Sequence, residues 1–218
     1  MSSKSDIIGE TGLQFFGKVS ASISHEIKNV LAIMNENAGL LEDYTRMLEN
    51  GKPINTELFK TLAGKVLKQI QRADGIVKRL NRFAHSVDNF AMSVDLVEIV
   101  AFMVELSHRS ASSRGVSPEP SPSTGPVKIT TNPFFLQSLI WLCLDFAMDT
   151  VDNGKAIGII TEETEGCARI RFTHLKGLTG ISIDEFPSER EKALLSLLKA
   201  ELTVDDNAGE IVITWPET

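Results

Sequence analysis

The stretch 22-SISHEIKNVLAIMNENAGLLEDY-44 decides the architecture. Its apolar residues recur in steps of three and four, and the series extends both ways. Phe16, Ser20, Ile23, Ile27, Val30, Met34, Asn37, Leu41, Tyr44 and Leu48 form a stripe over about four heptads, long for a globular helix. The stripe stops at 49-ENGKPINTE-57. Gly51 suits the left-handed residue after a helix, Pro53 prevents continuation, and Asn55 can cap a following helix. The same spacing resumes in Leu58, Leu62, Val66, Gln69, Ala73, Ile76, Leu80, Phe83, Val87 and Phe90. Two long helices joined by a short turn predict an antiparallel hairpin. Such a hairpin has a wide apolar face and one partner to cover it. Pairing with a second copy into a dimeric four-helix bundle is therefore expected, with coverage by residues 93–218 of the same chain as the alternative.

One residue stands apart from the stripe. At about 100° per residue, Ile23, Ile27, Val30 and Met34 cluster within roughly 60° of one another, and His25 lies about 200° around from Ile23. Lys18, Ser22 and Asn29 share its face. A buried seam leaves His25 exposed. An exposed imidazole stays partly unprotonated at neutral pH and is a good nucleophile. Glu26 is adjacent and can approach a ring nitrogen; Asn29, one turn on, overlaps His25 on the surface. Periodicity by itself favours a solvated face that happens to carry a histidine.

Beyond the hairpin, 95-DLVEIVAFMVEL-106 predicts a helix capped by Asp95 and ended by His108. The Ser- and Pro-rich run 110-SASSRGVSPEPSPSTGP-126 reads as a surface loop. A short strand follows at 127–130. The run 133-PFFLQSLIWLCLDFAMDTV-151 is apolar nearly all round, so a buried helix with Pro133 in its first turn. Residues 156–175 and 202–216 read as hairpins turning near Thr164–Gly166 and Asn207–Gly209, with a helix at 187–202 between them. The order predicts an α+β fold: a small sandwich with a mixed or antiparallel sheet and helices on one face.

The longest apolar runs fall short of the ~20 residues a membrane span needs, and MSSKSDIIGE lacks a signal-peptide pattern. Two cysteines, Cys143 and Cys167, are too few for a disulfide framework or a cysteine-rich zinc site. A cytoplasmic protein with reduced, buried thiols is expected. The net charge of −7 is uneven: residues 1–92 hold 12 Lys+Arg against 10 Asp+Glu, and residues 93–218 hold 10 against 19. The acidic half argues against a nucleic-acid or polyphosphate partner. The basic residues Lys65, Lys68, Arg72, Lys78, Arg79 and Arg82 suit an acidic protein partner.

His25-Glu26-Ile27-Lys28-Asn29, followed by Val30-Leu31, resembles the phosphoacceptor box of two-component sensor histidine kinases, H-E-[IL]-[KR]-[NT]-P-L. Val30 departs from it, because the family has a proline that bends the helix; a straighter rod is implied. The resemblance runs over nearly the whole chain from about residue 13. It implies a dimerisation and histidine-phosphotransfer domain at 1–92 and an ATPase-like sandwich domain at 93–218. By resemblance His25 would carry the phosphoryl group, Glu26 would assist proton handling, and Glu26 with Asn29 would match the E-x-x-N pattern of receiver dephosphorylation. The implied partner is a response-regulator receiver domain.

The nucleotide elements of that family are missing. Aligned on Ala147, the N-x-x-x-N-A pattern falls on Leu142 and Phe146, which cannot coordinate magnesium. Asp145 and Asp149 nearby read as solvent- or loop-facing. After 168-ARIRF-172, the neighbourhood of His174 stands where D-x-G-x-G belongs. The chain has no G-x-G, and no glycine between Gly180 and Gly209. The expectation is a phosphotransferase without its own ATP-dependent autophosphorylation and without a cofactor, magnesium arriving only with the receiver. The alternatives are a receiver phosphatase or sequestering module using Glu26 and Asn29, an active sensor kinase with a divergent nucleotide site, and a non-catalytic dimeric sensory or scaffold domain.

Overall fold

The computed structural model describes residues 3–123, 125–151, 155–164, 166–176, 178 and 186–216. Two compact units emerge: Lys18–His85, and a second made of Met1–Gly17 together with Ser86–Thr218. Helix α1 (Lys4–Glu49) contributes to both.

The helical unit is built from α1 and α2 (Glu57–Ala84). Gly51 ends α1 at φ 74°, with its N–H on Leu48 O and the Lys52 N–H on Met47 O. This paired closure needs a left-handed residue, which glycine adopts without a Cβ penalty. Asn55 Oδ1 accepts the Glu57 N–H at 2.9 Å and starts α2. The helices run antiparallel: Tyr44 meets Phe59 edge-on at 6.2 Å, and Glu26 meets Arg79. The seam buries Ile23, Val30 and Asn37 on one helix and Leu62, Ile76 and Phe83 on the other. It ends at Phe83. Val87 and Phe90, expected to continue it, are 55% and 78% exposed, because the helix tightens into a 3-10 turn at His85–Val87 and stops. Phe16, Leu48 and Leu58 are also exposed rather than on the seam.

In the α/β unit, β1 (Met92–Asp95) pairs antiparallel with β3 (Lys128–Thr131). Between them run α3 (Leu96–Ser113) and β2 (Ser117–Pro120). The run 110–126 is thus not one loop: its first residues extend α3, which passes His108, and four more form an edge strand. Pro118 and Pro120 are compatible with it because β2 has a strand neighbour on one side only. After β3 come α4 (Pro133–Thr150), β4 (Ala156–Thr164), β5 (Cys167–Thr173), α5 (Glu189–Leu198), β6 (Glu201–Asp205) and β7 (Glu210–Trp215). The sheet order is β2-β4-β5-β7-β6, with β2 parallel to β4 and the other pairs antiparallel. The α+β class and mixed sheet expected from the sequence are observed.

Caps fix each helix. Asp95 accepts the N–H groups of Val97 and Val127, Asn132 accepts that of Phe135, and Ser188 and Glu191 form a reciprocal capping box. Ile157, Ile159, Ala168, Ile170, Phe172, Ile211 and Ile213 alternate into the covered face of the sheet. Helix α4 is buried on nearly every side. The opening of α1 supplies part of the reason: Phe15 packs on Phe134 at 5.6 Å and on Trp141 at 5.8 Å. A Cβ on Gly12 would come within 3.1 Å of the Phe134 ring, so the close approach favours glycine. No helix among the described residues is long and apolar enough to cross a membrane.

Candidate functional site

The helical geometry sets where His25 sits. Ile23 and Val30 are 3% and 0% exposed, and His25, on the opposite side of α1, is exposed. Asn29 is exposed beside it, and its Nδ2 lies 3.2 Å from His25 Nδ1. An i,i+4 pair on a rigid helix holds the ring without help from a loop. With the amide N–H donating, Nδ1 accepts and the neutral ring carries its proton on Nε2. Turning the amide over puts Oδ1 against the ring, moves the proton to Nδ1 and frees the Nε2 lone pair. The orientation of the Asn29 amide and the tautomer of His25 are therefore coupled.

Glu26 is placed differently from the sequence reading. Its Oε2 is 3.1 Å from Arg79 Nη2, with the two side chains 20% and 31% exposed. The carboxylate ties α1 to α2 one residue from the imidazole. The group touching the His25 ring is Asn29. Arg79, one of the basic residues of α2 that suit an acidic partner, is thus turned to Glu26 of the same chain. The usable signal was the register: the Tyr44–Phe59 pairing across an antiparallel hairpin brings position 79 opposite position 26.

In the α/β unit, the positions compared with a nucleotide site hold other interactions. Leu142 is buried. Phe146 stacks on Phe186, ring centroids 3.9 Å apart and planes at 9°. Asp145 and Asp149 are not simply solvent- or loop-facing: Arg114 Nη2 lies 2.6 Å from Asp145 Oδ1, and Arg114 Nη1 lies 3.2 Å from Asp149 Oδ1. Two carboxylates one turn apart on α4 repel unless a cation lies between them, and Arg114, just after α3, supplies it. His174 follows β5 in the left-handed region, φ 71°. Gly180 and residues 181–185 lie outside the described residues. Among the described residues, no three of His, Cys, Asp and Glu gather as a metal-binding group.

No protein-family model matches the chain. No curated protein sequence matches it either. Among solved structures, the chain is similar to the histidine kinase AdeS of Acinetobacter baumannii, at 15% identity over 87% of this chain and 95% of that one, TM-score 0.47. It is similar to the cytoplasmic segment of the histidine kinase QseC, at 18% identity over 68% of this chain and 95% of that one, TM-score 0.45. A bacterial phosphotransferase is 14% identical over 93% of this chain and 95% of that one, TM-score 0.46.

Proposed function

We propose that the chain is a two-component phosphorelay protein of the histidine kinase type that passes a phosphoryl group between His25 and the aspartate of a response-regulator receiver domain, without phosphorylating itself from ATP. The observation that carries this reading is the exposed imidazole of His25, held by Asn29 at 3.2 Å on the outward face of a helix whose other face is buried. In the transfer, a ring-nitrogen lone pair attacks the phosphorus of the receiver's aspartyl phosphate. The bond from phosphorus to the carboxylate oxygen breaks, and the carboxylate leaves with the electron pair. The second ring nitrogen keeps its proton, and its N–H donates a hydrogen bond to the Asn29 carbonyl oxygen when the amide is turned. The reverse step returns the group to a receiver. Glu26 acts as a positioning residue, through the Arg79 pair that fixes the register beside His25.

The case against an ATP-driven reaction rests on the α/β unit. The Phe146–Phe186 stack and the Arg114 clamp occupy positions where phosphoryl chemistry needs magnesium ligands and phosphate donors. Magnesium accordingly arrives with the receiver's own acidic pocket. The protein works in the cytoplasm as a homodimer. Leu67, Ile70 and Val77 of α2 are 61%, 47% and 44% exposed and share a face beside the seam, which a second copy covers.

Incubation with a radiolabelled phosphorylated receiver from the same cell tests the reading. The wild type is expected to take up acid-labile, base-resistant label, and His25→Ala none. Equal labelling of the two proteins would refute phosphotransfer through His25. Phosphate release from the receiver with no phosphohistidine would replace it by a phosphatase. Calorimetric titration with magnesium-ATP is expected to give no binding isotherm; a saturable one would overturn the claim about ATP.

A further inference from the structure

The α/β unit contains a cavity of about 720 Å³ whose lining includes neither Phe146 nor Phe186 among the described residues. It opens between β1–β3, the β4–β5 turn, the last turn of α5 and the end of β7, and lies wholly within this unit. Its size is that of a small-molecule site.

The wall is two-sided in chemistry. Leu198 and Trp215 are buried beneath it, and Phe90, 78% exposed, stands on its lining. The same lining carries Lys128 and Lys199, both exposed. Among the described residues neither lysine forms an ion pair, and Glu163 is the one acidic residue on the lining. Lys199 is held at φ 53°, directly after α5, so its place in the wall is fixed by the helix end. Asn132, the cap of α4, also lines the cavity, so the positive end of an 18-residue helix adds to the lysines. The indole N–H of Trp215 is enclosed and finds no acceptor among the described residues. A ligand oxygen reaching it after a small shift of the ring would supply the missing acceptor.

We infer that this cavity binds a small amphipathic anion, its apolar body against Phe90, Leu198 and Trp215 and its carboxylate, sulfonate or phosphate between Lys128 and Lys199. The site is independent of the phosphotransfer reading. It gives the α/β unit a ligand of its own in place of a nucleotide.

The probe is 8-anilinonaphthalene-1-sulfonate, titrated into the full chain with tryptophan excitation and followed by energy transfer to the dye. One saturable site per chain is expected, displaced by decanoate. Lys128→Glu combined with Lys199→Glu is expected to weaken binding at least tenfold, and Lys52→Glu on the hairpin turn to leave it within about twofold. Trp215→Phe is expected to keep the site but lose most of the energy transfer. Near-ultraviolet circular dichroism confirms that each variant is folded. Equal dye affinity in the wild type and the double charge reversal, or failure of decanoate to displace the dye, overturns the proposal.

Discussion

Replacing Phe15 by alanine tests whether the opening of α1 is structurally part of the α/β unit. Phe15 is 3% exposed, and its ring meets Phe134 and Trp141 at 5.6 and 5.8 Å in tilted geometry. Truncating a buried phenylalanine costs about 3–5 kcal/mol, the lost transfer energy plus the cavity left behind. The two ring contacts, about 0.5–1.5 kcal/mol each, fall within that total. Alanine returns up to about 0.5 kcal/mol through its better helix propensity. The expected loss is therefore about 3–4 kcal/mol. Leu13→Ala is the control: Leu13 lies on the same helix, two residues away, but is 75% exposed, and is expected to cost under about 0.5 kcal/mol. Urea unfolding followed by tryptophan fluorescence reads the difference, because Trp141 touches the site of substitution. With a slope near 2 kcal/mol per molar, the midpoint falls by about 1.5–2 M for Phe15→Ala and hardly moves for Leu13→Ala. Equal midpoints for the two variants would mean that this helical segment does not help hold the α/β core.

Cys143 is fully buried, and burial, with the Glu191 charge second, pushes its thiol well above the ordinary value of 9.0. Its neutral form is favoured in the folded state, so its contribution to stability is complete below about pH 9 and is lost as the pH rises further. The urea midpoint is expected to fall above pH 9 in the wild type, and less steeply in Cys143→Ala; in native protein Ellman's reagent should label the half-buried Cys167 and spare Cys143. On the sheet, Glu210 first and Glu162 second hold the Arg171 guanidinium above its ordinary range. Arg171→Ala leaves those two carboxylates facing each other and is expected to cost about 2 kcal/mol at this partial exposure, a loss that Glu210→Gln should partly restore in a double-mutant cycle. For the dimer, sedimentation equilibrium of the wild type should give twice the 23.9 kDa chain mass, and Leu67→Glu with Ile70→Glu should give the single-chain mass.

The parts of the fold visible in the sequence are those fixed by local rules. Gly51, Asn55, Asp95 and Ser188 sit at helix ends because each satisfies backbone groups within a few residues, and such signals are readable in order along the chain. The hairpins of β4–β5 and β6–β7 are legible for the same reason. Strands β1 and β2 escaped because each has four residues and takes its pairing from elsewhere: β1 from β3, more than thirty residues on, and β2 from β4. The seam shows a subtler failure. The heptad reading placed Phe16 and Ser20 on it, steps that keep a 3.5-residue period. The buried series instead runs Thr11, Phe15, Val19, Ile23 in steps of four. Such steps exceed the helical repeat, so the stripe winds around the helix toward another face. That drift matches the change of partner, since Phe15 packs on α4 and Ile23 lies within the hairpin.

At the candidate site, a helix fixes directions, so the exposure of His25 and its approach to Asn29 followed from angle and spacing. The partner of Glu26 lies 53 residues away and depended on the register. Val30 is where these levels meet. It is fully buried, and α1 is one unbroken helix from Lys4 to Glu49, whereas the phosphoacceptor box that this stretch resembles carries a proline at this place. In an α-helix the N–H of residue 30 bonds the carbonyl of residue 26, so Val30→Pro removes that bond and drives its ring against the Glu26 carbonyl. The disturbance reaches the residue that carries the Arg79 pair and the neighbour of His25. A loss of about 3 kcal/mol or more is expected for the helical unit, seen as a lower melting temperature of the far-ultraviolet helical signal. Val30→Ala separates the effects: it truncates the same buried side chain but keeps the backbone bond, so it should cost less. If Val30→Pro melted no lower than Val30→Ala, the straight helix would not be what holds His25 in place.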